Sequence, residues 1–139
     1  MNMLRKINFV YKTFDHLGAS YFGTLGLKWA LERAGLLNYS YNVSGSEFLD
    51  EEELKKYPIL FMRGGMSGMG RVVEACGEQF KASFESESYY TRHGKVDDPG
   101  LKERLKKFNL VFTCAESDLN QFPIETLFCP VWAEVVRHG

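Results

Sequence analysis

Apolar residues in this chain cluster into short runs of strand length, separated by stretches in which they recur at helical spacing. Lys6–Lys12, KINFVYK, is apolar and β-branched and predicts a first strand. Leu25 with Trp29, and Leu27 with Leu31 and Ala34, predict a helix over Tyr21–Ala34, with Gly35 placed to stop it. A second strand is expected over Asn38–Ser44. Asp50 with Glu53 then forms a capping-box-like start to a short charged helix that must end before Pro58.

Ile59–Arg63, ILFMR, is the continuous apolar run of a strand covered on both faces. The glycine-rich GGMSGMG follows it, and a helix is predicted through Gln79 with Val72, Cys76 and Phe80 on one side. Lys81–Glu85 reads as a fourth strand. Asp98-Pro99 reads as N-cap and N1 of a helix whose Leu101, Leu105 and Phe108 share a face. Leu110–Cys114 is a fifth strand, with a short helix expected near Ser117–Phe122, and Thr126–Cys129 is a sixth, stopped by Pro130.

Strand candidates thus alternate with helical segments, and Asn-Gly hairpin signals are absent. Such strands join through right-handed crossovers and lie parallel. The expected fold is α/β: a Rossmann-like, doubly wound, mainly parallel sheet of about six strands with helices on both faces. The first, third, fourth and fifth runs are the most apolar and should form its buried centre.

Length and composition agree with one domain spanning residues 1–139, with 45% hydrophobic and 25% charged residues. A net charge of −1, with both signs mixed along the chain, gives no nucleic-acid footprint. No apolar run approaches the roughly 20 residues that span a bilayer, and the N-terminus lacks the apolar stretch of a signal peptide. Cys76, Cys114 and Cys129 are odd in number and lack CxxC spacing. Reduced, buried thiols of a cytoplasmic protein are the expectation. No metal-ligand spacing is present, and the reading calls for no cofactor.

Ligands of an open parallel sheet bind beyond the carboxyl ends of its strands, and this rule selects the candidates. After the first strand come Lys12, Thr13, Asp15, His16 and Gly18. After the third come Arg63, Gly64, Gly65, Ser67 and Gly68. The fourth delivers Glu85 and Glu87, and the fifth Glu116. The glycines of GGMSGMG allow close backbone approach, and N–H groups at a helix start attract an anion, with Arg63 and Arg71 flanking. The same loop also reads as a flexible turn at a tight helix–sheet contact. It closes with no Gly-Lys-Ser/Thr and does not match G-x-G-x-x-G. His16 beside Asp15 can act as a general base or be a solvated loop residue. Glu85 and Glu87 point the same way if the strand continues, either as paired carboxylates for acid–base work or sugar binding, or as a solvated strand end.

The strand KINFVYK, its glycine-containing loop and the helix ending LERAGL resemble the opening of a GT-B glycosyltransferase of the spore-maturation type. So does KKFNLVFTCAESDLNQF followed by the strand and proline of TLFCPVW. The resemblance covers nearly the whole chain. It implies the N-terminal, acceptor-side half of such an enzyme, because the chain ends about where the connection to a donor-binding domain starts. The donor-binding acidic residue of that family has no position here. In that reading the partners are a nucleotide-sugar donor and a hydroxyl acceptor, brought together by a second domain, with no nucleic acid and no membrane span. His16, Asp15, Glu85 or Glu87 then serves the acceptor as base or hydroxyl ligand. A stand-alone flavodoxin-like or nucleotide-binding module, with GGMSGMG at its phosphate, is the alternative, as is a non-catalytic interaction domain.

Overall fold

A computed structural model describes residues 6–12, 19–85, 99–114, 116, 119–120 and 122–129. Six strands make one sheet: β1 (Ile7–Tyr11), β2 (Leu37–Asn42), β3 (Ile59–Met62), β4 (Lys81–Glu85), β5 (Leu110–Thr113) and β6 (Thr126–Phe128). Their order is β2-β1-β3-β4-β5-β6, and every neighbouring pair is parallel. The four most apolar runs therefore occupy the interior positions, and β2 and β6 form the edges. This is the Rossmann-like α/β class expected, with the doubly wound order in which the chain turns back between β1 and β3.

Four helices connect these strands among the described residues: α1 (Ala19–Arg33), α2 (Glu51–Leu54), α3 (Gly70–Ala75) and α4 (Pro99–Leu105). Register sorts the strand residues by face. Val10, Phe61 and Val111 look one way, where Leu54 of α2, Val72 and Val73 of α3, and Leu101 and Leu105 of α4 complete the core. Phe9, Tyr11, Met62 and Phe84 look the other way, toward Leu25, Leu27 and Leu31 of α1. Helices thus lie on both faces, α1 opposite α2, α3 and α4.

Local chemistry explains most boundaries. Helix α1 ends in a Schellman motif: Gly35 adopts φ 72°, its N–H donates to Glu32 O, and Leu36 N–H donates to Leu31 O. Asp50 caps α2 by accepting from the N–H groups of Glu52 and Glu53. The reciprocal half of the capping box is replaced. Asp50 N–H donates to the Tyr39 hydroxyl, and the Glu53 carboxylate pairs with Lys56.

Three expected helical details differ. Trp29 is 55% exposed, so the core stripe of α1 is Leu25, Leu27 and Leu31. Helix α3 stops at Ala75 because Cys76 is extended (φ −72°, ψ 153°), leaving Phe80 outside the helix and 50% exposed. Phe108 is buried but lies beyond α4, in the turn that carries the chain into β5. The predicted N-cap Asp98 lies outside the described residues, as does part of the helix expected near 117–122. Leu119–Asn120 is a turn.

The three cysteines are half-buried rather than buried, and no disulfide joins them. Burial pushes the Cys76 thiol up to about 11, against a smaller opposing pull from Lys81 and Lys55. Among the described residues no helix is long and apolar enough to cross a membrane.

A buried polar group decides how α2 sits. Asn8, fully buried on β1, donates through Nδ2 to the carbonyls of Glu53 and Leu54, both at 2.8 Å. Its Oδ1 accepts from Asn38 Nδ2 at 2.9 Å, and Gln79 Nε2 also reaches Leu54 O at 2.8 Å. These bonds satisfy the carbonyls that the end of a short helix leaves open.

Candidate functional site

Strand β1 leads to β2 on one side, while β3 lies on the other, so the switch point of the sheet, where such folds form their ligand crevice, falls between the carboxyl ends of β1 and β3. Lys12, just past β1, reaches across it. Its Nζ lies 3.6 Å from where a Cβ on Gly68 would stand. Gly68 sits in the 3-10 turn Ser67–Met69, which carries the chain from β3 into α3. Helix α3 is only six residues long, so its first turn adds little dipole.

Between β3 and that turn the backbone makes a sharp bend. Arg63 has φ 58°, the one non-glycine residue in the left-handed region among those described. Such a conformation costs an ordinary L-residue roughly 1–2 kcal/mol and persists only where its surroundings hold it. The surroundings do so here. Arg63 N–H donates to Phe84 O at 2.8 Å, and Arg63 O accepts from Met66 N at 3.1 Å. Gly64 N–H donates to Ser83 Oγ at 2.7 Å, and Gly65 N–H donates to Glu85 Oε2 at 3.2 Å. The Gly65 carbonyl accepts from Arg104 Nε of α4.

Ser83 and Glu85 stand two residues apart on the same face of β4, both fully buried, and the Ser83 hydroxyl donates to Glu85 Oε2 at 2.6 Å. Thr113, the register partner of Glu85 on β5, is also fully buried. Taking a carboxylate out of water costs several kcal/mol unless it is well hydrogen-bonded, and these donors supply part of that compensation.

The glycines are explained by packing. A Cβ on Gly64 would lie 2.5 Å from Phe108 Cζ and 2.9 Å from both Phe61 Cβ and Ser83 Oγ. One on Gly65 would lie 2.6 Å from Leu101 Cδ1 and 3.2 Å from Leu105 Cδ2. Gly64 and Gly65 are buried, and their N–H groups are used by β4. The tight-contact reading of the loop therefore holds for these two, and Gly68 is the exposed one of the three candidate glycines in this loop.

The structure thus brings together Lys12, Arg63 and Gly68 at the crevice, with Gly64, Gly65 and Glu85 packed beneath. Glu85 does not stand at a solvated strand end. It is 0% exposed and serves the loop. Glu116 is exposed past the end of β5, two strands beyond β3, or about 10 Å at ordinary strand spacing. It does not join the group. Ser67 opens the 3-10 turn. Arg71, exposed on α3, donates through Nη2 to the Tyr41 hydroxyl at 3.4 Å. Thr13, Asp15, His16, Gly18 and Glu87 lie outside the described residues.

Sequence reasoning missed Ser83, Thr113 and Arg104. The signal for Ser83 was present: in KASFE, Ser83 and Glu85 share one strand face while Ala82 and Phe84 take the other. Arg104 carried no signal, because nothing local tells which arginine of a charged helix bends back to a distant loop. Among the described residues no cluster of three His, Cys, Asp or Glu could hold a metal.

Fold and site define a doubly wound parallel α/β sheet with Lys12, Arg63 and Gly68 at the carboxyl ends of β1 and β3, its switch point. No family model, no curated protein and no solved structure matches the chain.

Proposed function

We propose that this chain binds the anionic or polyhydroxylated part of a ligand in the β1/β3 crevice. In its finer form the reading is the acceptor-side domain of a GT-B glycosyltransferase, acting in sugar transfer when joined to a donor-binding domain. The observation that carries the binding step is Lys12 Nζ spanning the crevice to Gly68, beside the left-handed Arg63. A cation at a switch point can make charge-assisted hydrogen bonds to phosphate, or bonds to sugar hydroxyls. The finer step is supported by the sequence resemblance. In it, His16, Asp15 or Glu87 serves the acceptor hydroxyl, and Glu85 holds the loop.

A second reading is favoured by one observation. The strand order β2-β1-β3-β4-β5 is that of flavodoxin-like sheets, which bind at the same β1/β3 point. Titrating the isotope-labelled chain with pyrophosphate, UDP-glucose and flavin mononucleotide, each alone, separates the possibilities by amide shifts. Shifts at Lys12 and Met66–Gly70 with pyrophosphate or UDP-glucose support the crevice. Stoichiometric yellow protein selects the flavodoxin-like module. No shift there with any of the three overturns ligand binding at this crevice.

The glycosyltransferase reading also requires that this chain alone leave UDP-glucose intact. One sheet supplies one of the two facing surfaces that orient donor and acceptor. Turnover that disappears in His16→Ala would reveal a complete active site here and end the half-enzyme reading.

A further inference from the structure

We propose that Ser83, Glu85 and Arg104 are positioning residues that hold Arg63 in its left-handed conformation at the rim of the crevice. The inference rests on the binding reading above for its functional meaning, and on the turn's hydrogen bonds for its mechanism.

The peptide units after Arg63 are gripped from two elements. Gly64 N–H and Gly65 N–H are taken by Ser83 and Glu85 of β4, and Gly65 C=O is taken by Arg104 of α4. Leu101 and Leu105 close over Gly65 from the same helix. A left-handed residue needs such over-determination, since relaxation to the β region would swing the following peptide and break these bonds. Backbone conformation sets the direction in which a side chain leaves the chain. The grip therefore sets where the Arg63 side chain starts, at the carboxyl end of β3 ahead of Gly68. Ser83 and Glu85 lie too deep to touch a ligand, being fully buried. Their influence passes through the turn.

Arg104 is the residue to test, because it is only half-buried and its loss leaves the buried Ser83–Glu85 pair in place. Two readouts are needed. In the unliganded protein, Arg104→Ala should move the Arg63 amide and Cα resonances away from left-handed values. Arg104→Lys, which can still donate to the Gly65 carbonyl, should restore them. With pyrophosphate as probe, Arg104→Ala should weaken binding about five- to tenfold, the size expected for one lost hydrogen bond acting through Arg63. Arg63→Ala should weaken it similarly, and adding Arg104→Ala to Arg63→Ala should cost nothing further. Unchanged Arg63 resonances in Arg104→Ala overturn the proposal, as does an equal loss of affinity in the Arg63→Ala background. If the wild-type chain fails to bind pyrophosphate while the Arg63 resonances respond as described, the crevice reading falls and the positioning role stands.

Discussion

The sharpest perturbation is a single methyl group placed at either of two glycines of one loop. In Gly64→Ala the new Cβ meets Phe108 Cζ at 2.5 Å, Phe61 Cβ at 2.9 Å and Ser83 Oγ at 2.9 Å. Phe61 Cβ is fixed by its own backbone in the centre of the sheet. Phe108 packs edge-on against the Phe61 ring with centroids 5.3 Å apart, so neither neighbour can retreat cheaply. Overpacking of this kind costs about 1–3 kcal/mol. Pushing the loop off β4 also weakens the Gly64 N–H to Ser83 Oγ bond, about 1 kcal/mol more. The sum, about 2–4 kcal/mol, corresponds to a fall in Tm of roughly 6–15 °C for a chain of this length. In Gly68→Ala the nearest atom is Lys12 Nζ at 3.6 Å, the end of a flexible side chain, and φ lies outside the left-handed region. Its stability should change by less than about 0.5 kcal/mol. Urea unfolding followed by circular dichroism measures both. A Gly64→Ala loss below that figure, or a Gly68→Ala loss as large as that of Gly64→Ala, would refute the packing account of the loop.

Three other outcomes are open to measurement. Asn8→Ala removes two bonds to the end of α2, leaving Leu54 O to Gln79 Nε2 and Glu53 O to the Lys56 N–H, and takes the Asn8 acceptor from Asn38 Nδ2; the urea midpoint should report a loss of about 1–3 kcal/mol. Gly35→Ala meets no atom within 4 Å but must take φ 72°, so it should cost about 1 kcal/mol with the m-value unchanged. Cys76, its thiol raised from 9.0 to about 11 by burial, should be alkylated slowly at pH 8, where about one thiol in a thousand is ionised, and readily once unfolded in denaturant. Because the folded state holds that proton more tightly, its contribution to stability is complete below about pH 9 and declines as pH rises toward 11.

The sequence by itself determined the class of fold. Apolar runs of strand length, separated by helical spacing and free of hairpin turns, permit little besides a parallel sheet. The most apolar runs went to its centre because those strands are covered on both faces. Caps were legible for the same local reason: Asp50 and Gly35 act on groups within four residues of themselves. Helix α3 was misjudged because periodicity continued through Cys76 and Phe80, while the crossover needed the chain extended by Cys76 to reach β4.

Only the tertiary structure decided what the glycine loop does. Gly64 and Gly65 look alike in sequence to Gly68, yet the first two lie under Phe108 and Leu101, and the third faces Lys12. Glu85 closes its strand in the sequence like any solvated end residue, and in the fold it is a buried hydrogen-bond acceptor for a loop twenty residues earlier. Strand periodicity sets which face a side chain takes. What waits on that face is set by the order of strands, and that order is a property of the whole sheet.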